Sequence, residues 1–175
     1  MKKKKNMSLL KAFGFSLLAL MISNLLLVII VYTIFGRFDD IISMFTIGAT
    51  TSLIYSIFCS MGRAIWISVD NIAYHIVNDN LFNILLILIL LVTPLIAAII
   101  AGRVGEKRIH SFFGVFLTSM VSMIASLILM FNSVSYQIII ASNLIGSGAL
   151  FVVVLGSLLN GLIFGFLAFI TTKRK

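Results

Sequence analysis

LFNILLILILLVTPLIAAIIAGRVGEKRIHSFFGVFLTSMVSMIASLILMF, residues 81–131, decides the fold. Leu81 to Gly102 is almost unbrokenly apolar, with Pro94 in its interior. At ~1.5 Å of rise per helical residue, about 20 such residues cross a hydrocarbon core ~30 Å thick. Phe112 to Phe131 is a second run of the same kind. Between them, Arg103–Arg108 sets three basic residues against the single acid Glu106. The stretch reads as two antiparallel membrane helices joined at a short basic turn.

Working outward, the same pattern recurs on both sides. Ala12 to Phe35 is a long apolar run behind Lys2–Lys5 and Lys11, and Leu144 to Ile170 is another, ending against Thr171, Thr172 and Lys173–Lys175. The first run resembles a secretory signal, but it is longer than the 7–15 apolar residues of a cleavable one and no small-x-small site follows it. It reads as an uncleaved first span, with Lys11 able to snorkel to the headgroups. The expected fold is an all-α polytopic membrane bundle in one domain. Its four spans are about 12–35, 81–102, 112–131 and 144–170.

Composition agrees. Of 175 residues, 61% are apolar and 10% charged. Soluble domains are roughly 45–50% apolar and about 25% charged, so a soluble globular enzyme is excluded. The net charge of +8 would suggest a nucleic-acid partner in a soluble chain, but 11 of the 13 basic residues lie in three clusters flanking apolar runs. Such clustering reads as positive-inside topology, and there is no basic stripe with interleaved aromatics for a nucleic-acid strand. Both termini and Arg103–Arg108 are expected in the cytoplasm, in a cell membrane. The other side then holds Arg37 and Arg63 with Asp39, Asp40, Asp70 and Asp79.

The extracytoplasmic stretch Gly36–Asn80 is the ambiguous one. Ile41–Met61 is apolar enough to cross, but a crossing there would turn the Arg103–Arg108 loop outward. Its Ser43, Thr46, Thr50, Thr51, Ser52, Ser56 and Ser60 are also too polar for lipid on every side. Two readings remain: a segment that dips in and returns, or a helix packed on the bundle from outside. Ala64–Val77 has helical periodicity. Ile65, Val69, Ile72, Ala73 and Ile76 form a stripe edged by Trp66, and Asn71 and His75 lie opposite, which suits an interfacial helix. Asp39 and Asp40 are expected to cap a helix starting at Ile41. In Asn132–Asn143 and the following Gly146-Ser147-Gly148, a half-helix before a break competes with one long helix.

Helices in lipid associate by close packing, for which small residues are needed. Gly114, Thr118, Ser122 and Ser126 recur every four residues on the third span. Ser157, Gly161 and Gly165 form one row on the fourth, beside Gly148, Gly156 and Asn160. Gly161 and Gly165 are expected against the Gly114–Ser126 face. Asn24 and Asn160 are the deepest polar side chains in the spans, acting either as packing glue or as a pore or substrate contact. Lys11-Ala12-Phe13-Gly14 and Ser111-Phe112-Phe113-Gly114 form a short internal echo.

Chemistry-bearing sets are scarce. The four runs contain no Asp, Glu, Arg or His, which argues against a proton relay. No Ser–His pair, aspartate pair or HExxH motif is evident. Asn71, His75 and Asp79, spaced by four, read as a solvated face, the alternative being part of a metal site. Cys59 is the only cysteine, a small filler or a link between chains. No cofactor, metal or catalytic residue is expected. The chain reads as a non-enzymatic, helix-packing or accessory subunit, partnered by the lipid bilayer and by other membrane subunits or its own copies. In size and all-helical character it also resembles the substrate-binding membrane subunits of energy-coupling-factor vitamin transporters. It departs from them in having fewer predicted spans and no small-residue coupling motif in the first. That resemblance implies the alternative, a small-solute transport component.

Overall fold

The computed structural model describes residues 3–46, 54, 57, 58, 61, 68–132 and 148–173. The described helices are α1 (Lys3–Ile34), α2 (Phe38–Thr46), α3 (Ser68–Val77), α4 (Leu81–Val104), α5 (Arg108–Asn132) and α6 (Gly148–Thr171). Four helical stretches are long and apolar enough to cross a membrane: Ser8–Ile34, Leu81–Val104, Arg108–Leu129 and Val153–Thr171. The chain is therefore an all-α bundle of the multi-pass membrane kind. Cys59, Arg63, Ile65, Trp66, the Ile138–Ile140 run and Leu144 lie outside the described residues.

The helices overrun the apolar runs at their basic ends. α1 begins at Lys3 rather than Ala12, and α5 at Arg108 rather than Phe112. Hydropathy marks where hydrocarbon ends, whereas the backbone ladder continues through Lys and Arg, which are good helix formers. Some hydroxyls inside the spans are satisfied within their own helix. Ser23 donates to the Ala19 carbonyl at 2.6 Å, and Thr93 to that of Ile89 at 2.9 Å. α4 continues unbroken through the buried Pro94.

Two helix ends share one device. Beyond α1, Arg37 N–H donates to the Tyr32 carbonyl at 2.8 Å and Gly36 N–H to that of Thr33 at 3.1 Å. Beyond α3, Asn80 N–H donates to the His75 carbonyl at 2.9 Å and Asp79 N–H to that of Ile76 at 3.2 Å. Both are Schellman ends, which need one residue in the left-handed region. Gly36 supplies it at φ +67° and Asp79 at φ +51°. This turn takes Asp79 off the α3 face, so Asn71, His75 and Asp79 do not form the continuous row expected from their spacing. Asn80 then caps α4, its side chain accepting from Asn83 N–H at 3.2 Å. α2 starts at Phe38 rather than Ile41, which puts Asp39 and Asp40 inside its first turn, where acids suit the helix dipole. Arg37 pairs with Asp40 at 2.8 Å and lies over the Phe82 ring, which also meets Tyr32 and Phe35 edge-on. Ala73 and Ile76 of α3 are exposed, and His75 is half-buried. Of the stripe, the described Ala73 and Ile76 are thus not turned onto the bundle.

α1 and α4 form one antiparallel hairpin, α5 and α6 a second. The hairpins stack in parallel, α1 on α5 and α4 on α6. α4 and α5 also touch, so α1 and α6 flank that pair on opposite sides. Glycines permit the closest approaches. A β-carbon on Gly114 would sit 2.9 Å from that of Ala12 on α1, and one on Gly102 would overlap the Thr171 hydroxyl of α6. The echoing segments at Gly14 and Gly114 therefore lie side by side but in unlike settings, because Gly14 faces open space. At the end holding the Arg103–Arg108 turn, Thr172 donates to the Ser111 hydroxyl at 2.8 Å.

α2 starts beside Phe82 and α3 leads directly into α4, so both border the opposite end. Between them, the described residues lie inside the bundle. Ile54 packs with Leu129 and Val153. Met61 is fully buried among Leu20, Ala97, Ala98, Val115 and Phe164. Of the two readings left open for 41–61, the described residues fit the first: Ile57, Phe58 and Met61 lie within the bundle rather than on its outside.

Candidate functional site

Three main-chain carbonyls at the middle of the bundle accept hydrogen bonds from side chains, in a setting where an unpaired buried polar group costs free energy comparable to a lost hydrogen bond. The three donors come from three different spans. The Asn24 amide on α1 donates to the Ile57 carbonyl at 3.0 Å. The Ser122 hydroxyl on α5 donates to the Phe58 carbonyl. The Asn160 amide on α6 donates to the Met61 carbonyl at 2.6 Å. Asn24, Ser122 and Asn160 are each 1% exposed. The three carbonyls lie within one turn of chain, and their donors stand near the middles of their spans. Ile57, Phe58 and Met61 are themselves helical, and protein covers the segment at this depth, where Met61 is fully buried.

The surrounding layer is polar and close-packed. Ser119 on α5 donates to the Ser157 carbonyl on α6 at 2.5 Å, tying the second hairpin together. Thr118 donates to the Gly114 carbonyl at 3.0 Å within its own helix. Asn160 Oδ1, Ser157 Oγ and Ser126 Oγ in this layer are among the buried polar atoms with no hydrogen-bond partner among the described residues. Among the described residues there is also no group of three or more His, Cys, Asp or Glu placed to hold a metal ion.

The small residues singled out from the sequence fall on three different contacts. Gly114 faces α1. Gly161 faces Ser119 and Phe116, at 3.0 and 3.1 Å from a built β-carbon, and Gly165 faces Phe112 at 3.1 Å. The two α6 glycines thus meet α5, but along the Phe112, Phe116, Ser119 row rather than the expected Gly114–Ser126 row. The latter row turns toward α1 and the chain at Ile57–Met61. Ser122 bonds that chain, and Ser126 and Gly156 are buried. Compared with protein-family models, curated proteins and solved structures, the chain matches none. The site therefore stands on its own geometry.

Sequence reasoning finds Asn24 and Asn160 as polar side chains standing out in apolar runs, and Ser122 only as a small residue of a packing row. It does not find their acceptors. Ile57, Phe58 and Met61 contribute through backbone oxygens, which every residue has. Ser119 also escapes notice, since it is one serine among several on α5.

Proposed function

We propose that this chain is a non-enzymatic accessory subunit of a membrane complex. Its four-span bundle would serve as a scaffold held together around the segment Ile57–Met61. The observation that carries the reading is the threefold anchoring of that segment, by Asn24, Ser122 and Asn160 from three spans. Each donor is engaged with the main chain, as structural polar groups in membranes are. The small faces of α5 and α6 are buried within the bundle. A partner would therefore meet the large apolar side chains outside, such as Ile22 and Leu26 of α1 or Phe166 and Ile170 of α6. The basic clusters favour a cell-membrane orientation with both termini and Arg103–Arg108 in the cytoplasm. Extraction of the tagged chain in mild detergent after membrane-permeant cross-linking tests the reading. A second membrane protein at constant stoichiometry is expected; recovery of the chain alone would defeat it.

A small-solute transport component is the second reading, and a specific observation favours it. Asn160 Oδ1, Ser157 Oγ and Ser126 Oγ are inward, buried and unpartnered among the described residues. They lie in the middle of the bundle, the depth at which carriers hold substrates. Under this reading a panel of amino acids, nucleosides and vitamins contains a compound that raises thermal stability, and Asn160→Leu abolishes the effect. A panel without such a compound favours the scaffold.

A further inference from the structure

We infer that the outward face of α1 around Gly14 is a binding site for an anionic phospholipid. Leu10, Lys11, Gly14, Phe15 and Leu18 line a groove of about 360 Å³ on that face. The spacing of these residues places them along one side of the helix, away from the buried Ala12, Ser16 and Leu20. From Leu10 to Leu18 the groove runs about 12 Å along the axis. Gly14 makes it: a β-carbon built there meets nothing within 4 Å, so no packing inside the protein requires a glycine. Leu10, Phe15 and Leu18 are half or more exposed, giving apolar walls for an acyl chain.

Charge selects the occupant. Lys11 is exposed at the mouth of the groove and has no ion pair among the described residues. The sequence adds Lys2–Lys5 within the preceding turns. A lysine here reaches the headgroup level while its stem lies along apolar surface. An anionic headgroup gains from each basic residue near the surface, whereas a zwitterionic headgroup brings its own cation to the same place. A second protein helix laid in the groove would bury Lys11 without offering it a stated counter-charge. The site is independent of the accessory-subunit reading.

Native mass spectrometry of the full chain in neutral detergent tests it, with dioleoylphosphatidylglycerol and dioleoylphosphatidylcholine added in equal amounts. Wild type is expected to retain phosphatidylglycerol in preference to phosphatidylcholine. Lys11→Gln should weaken that retention about five-fold, as expected for one basic contact. Gly14→Leu fills the groove without changing charge, and should lower retention of phosphatidylglycerol while leaving the thermal unfolding temperature unchanged. If Gly14→Leu retains phosphatidylglycerol as wild type does, the lysines alone attract the lipid and the groove is not a site. Equal retention of the two lipids, or a second protein chain in place of the lipid, would also overturn the proposal.

Discussion

At the scale of single residues, Asn160 is the most informative position. Its amide reaches the Met61 carbonyl at 2.6 Å in a fully buried setting. Asn160→Leu keeps a similar volume and removes the donor of a buried hydrogen bond. A loss of about 1–2 kcal/mol is expected, read as a lower unfolding temperature of the purified chain in detergent. An unchanged temperature would mean that the bond is not made. Asp79 gives the opposite sign. It holds φ +51° at a Schellman end where its counterpart at the other such turn is Gly36. Asp79→Gly relieves the left-handed strain and should stabilise by roughly 0.5–1 kcal/mol. The same measurement checks it, and destabilisation would show that the aspartate side chain contributes something the turn geometry does not.

At the scale of elements, the α5–α6 contact carries the second hairpin. Gly161 stands so close to Ser119 and Phe116 that an added β-carbon is already tight. Gly161→Leu should force the helices apart at a cost of ~1–3 kcal/mol, again visible as a lower unfolding temperature of the isolated chain. If stability is kept, the α5–α6 seam is looser than described. The elements were largely legible in the sequence, since hydrocarbon demands a long apolar run and four such runs stand out. Their neighbours were less so. The small residues of α5 announce a packing face, but periodicity does not say which of two adjacent rows meets α6 and which meets α1. The inside position of Ile57–Met61 was legible only as a choice between two placements. The polarity of 41–61 excluded plain lipid exposure without naming the oxygens that polar side chains would seek.

At the scale of the whole molecule, the described helices fix which ends lie together, and the proposed side for that end rests on charge. The termini-bearing end gathers Lys107, Arg108 and Lys173, while Arg37, Asp39 and Asp40 sit at the other. In a Cys59→Ser background, a cysteine at Glu106 should resist a membrane-impermeant thiol reagent in intact cells, and one at Asp39 should react. Labelling at Glu106 would invert the orientation and remove the positive-inside argument.

The anchoring of Ile57–Met61 also sets an order of birth. Asn24 precedes Ile57 by 33 residues, whereas Ser122 follows Phe58 by 64 and Asn160 follows Met61 by 99. The segment leaves the ribosome with one of its three partners made. At synthesis rates of about 5–20 residues per second, the last partner trails by roughly 5–20 s. Until α6 inserts, the Met61 carbonyl is without its Asn160 donor. A chain truncated before α6 keeps this polar segment without its final holder, and a membrane protease that samples unfinished helices would find it there.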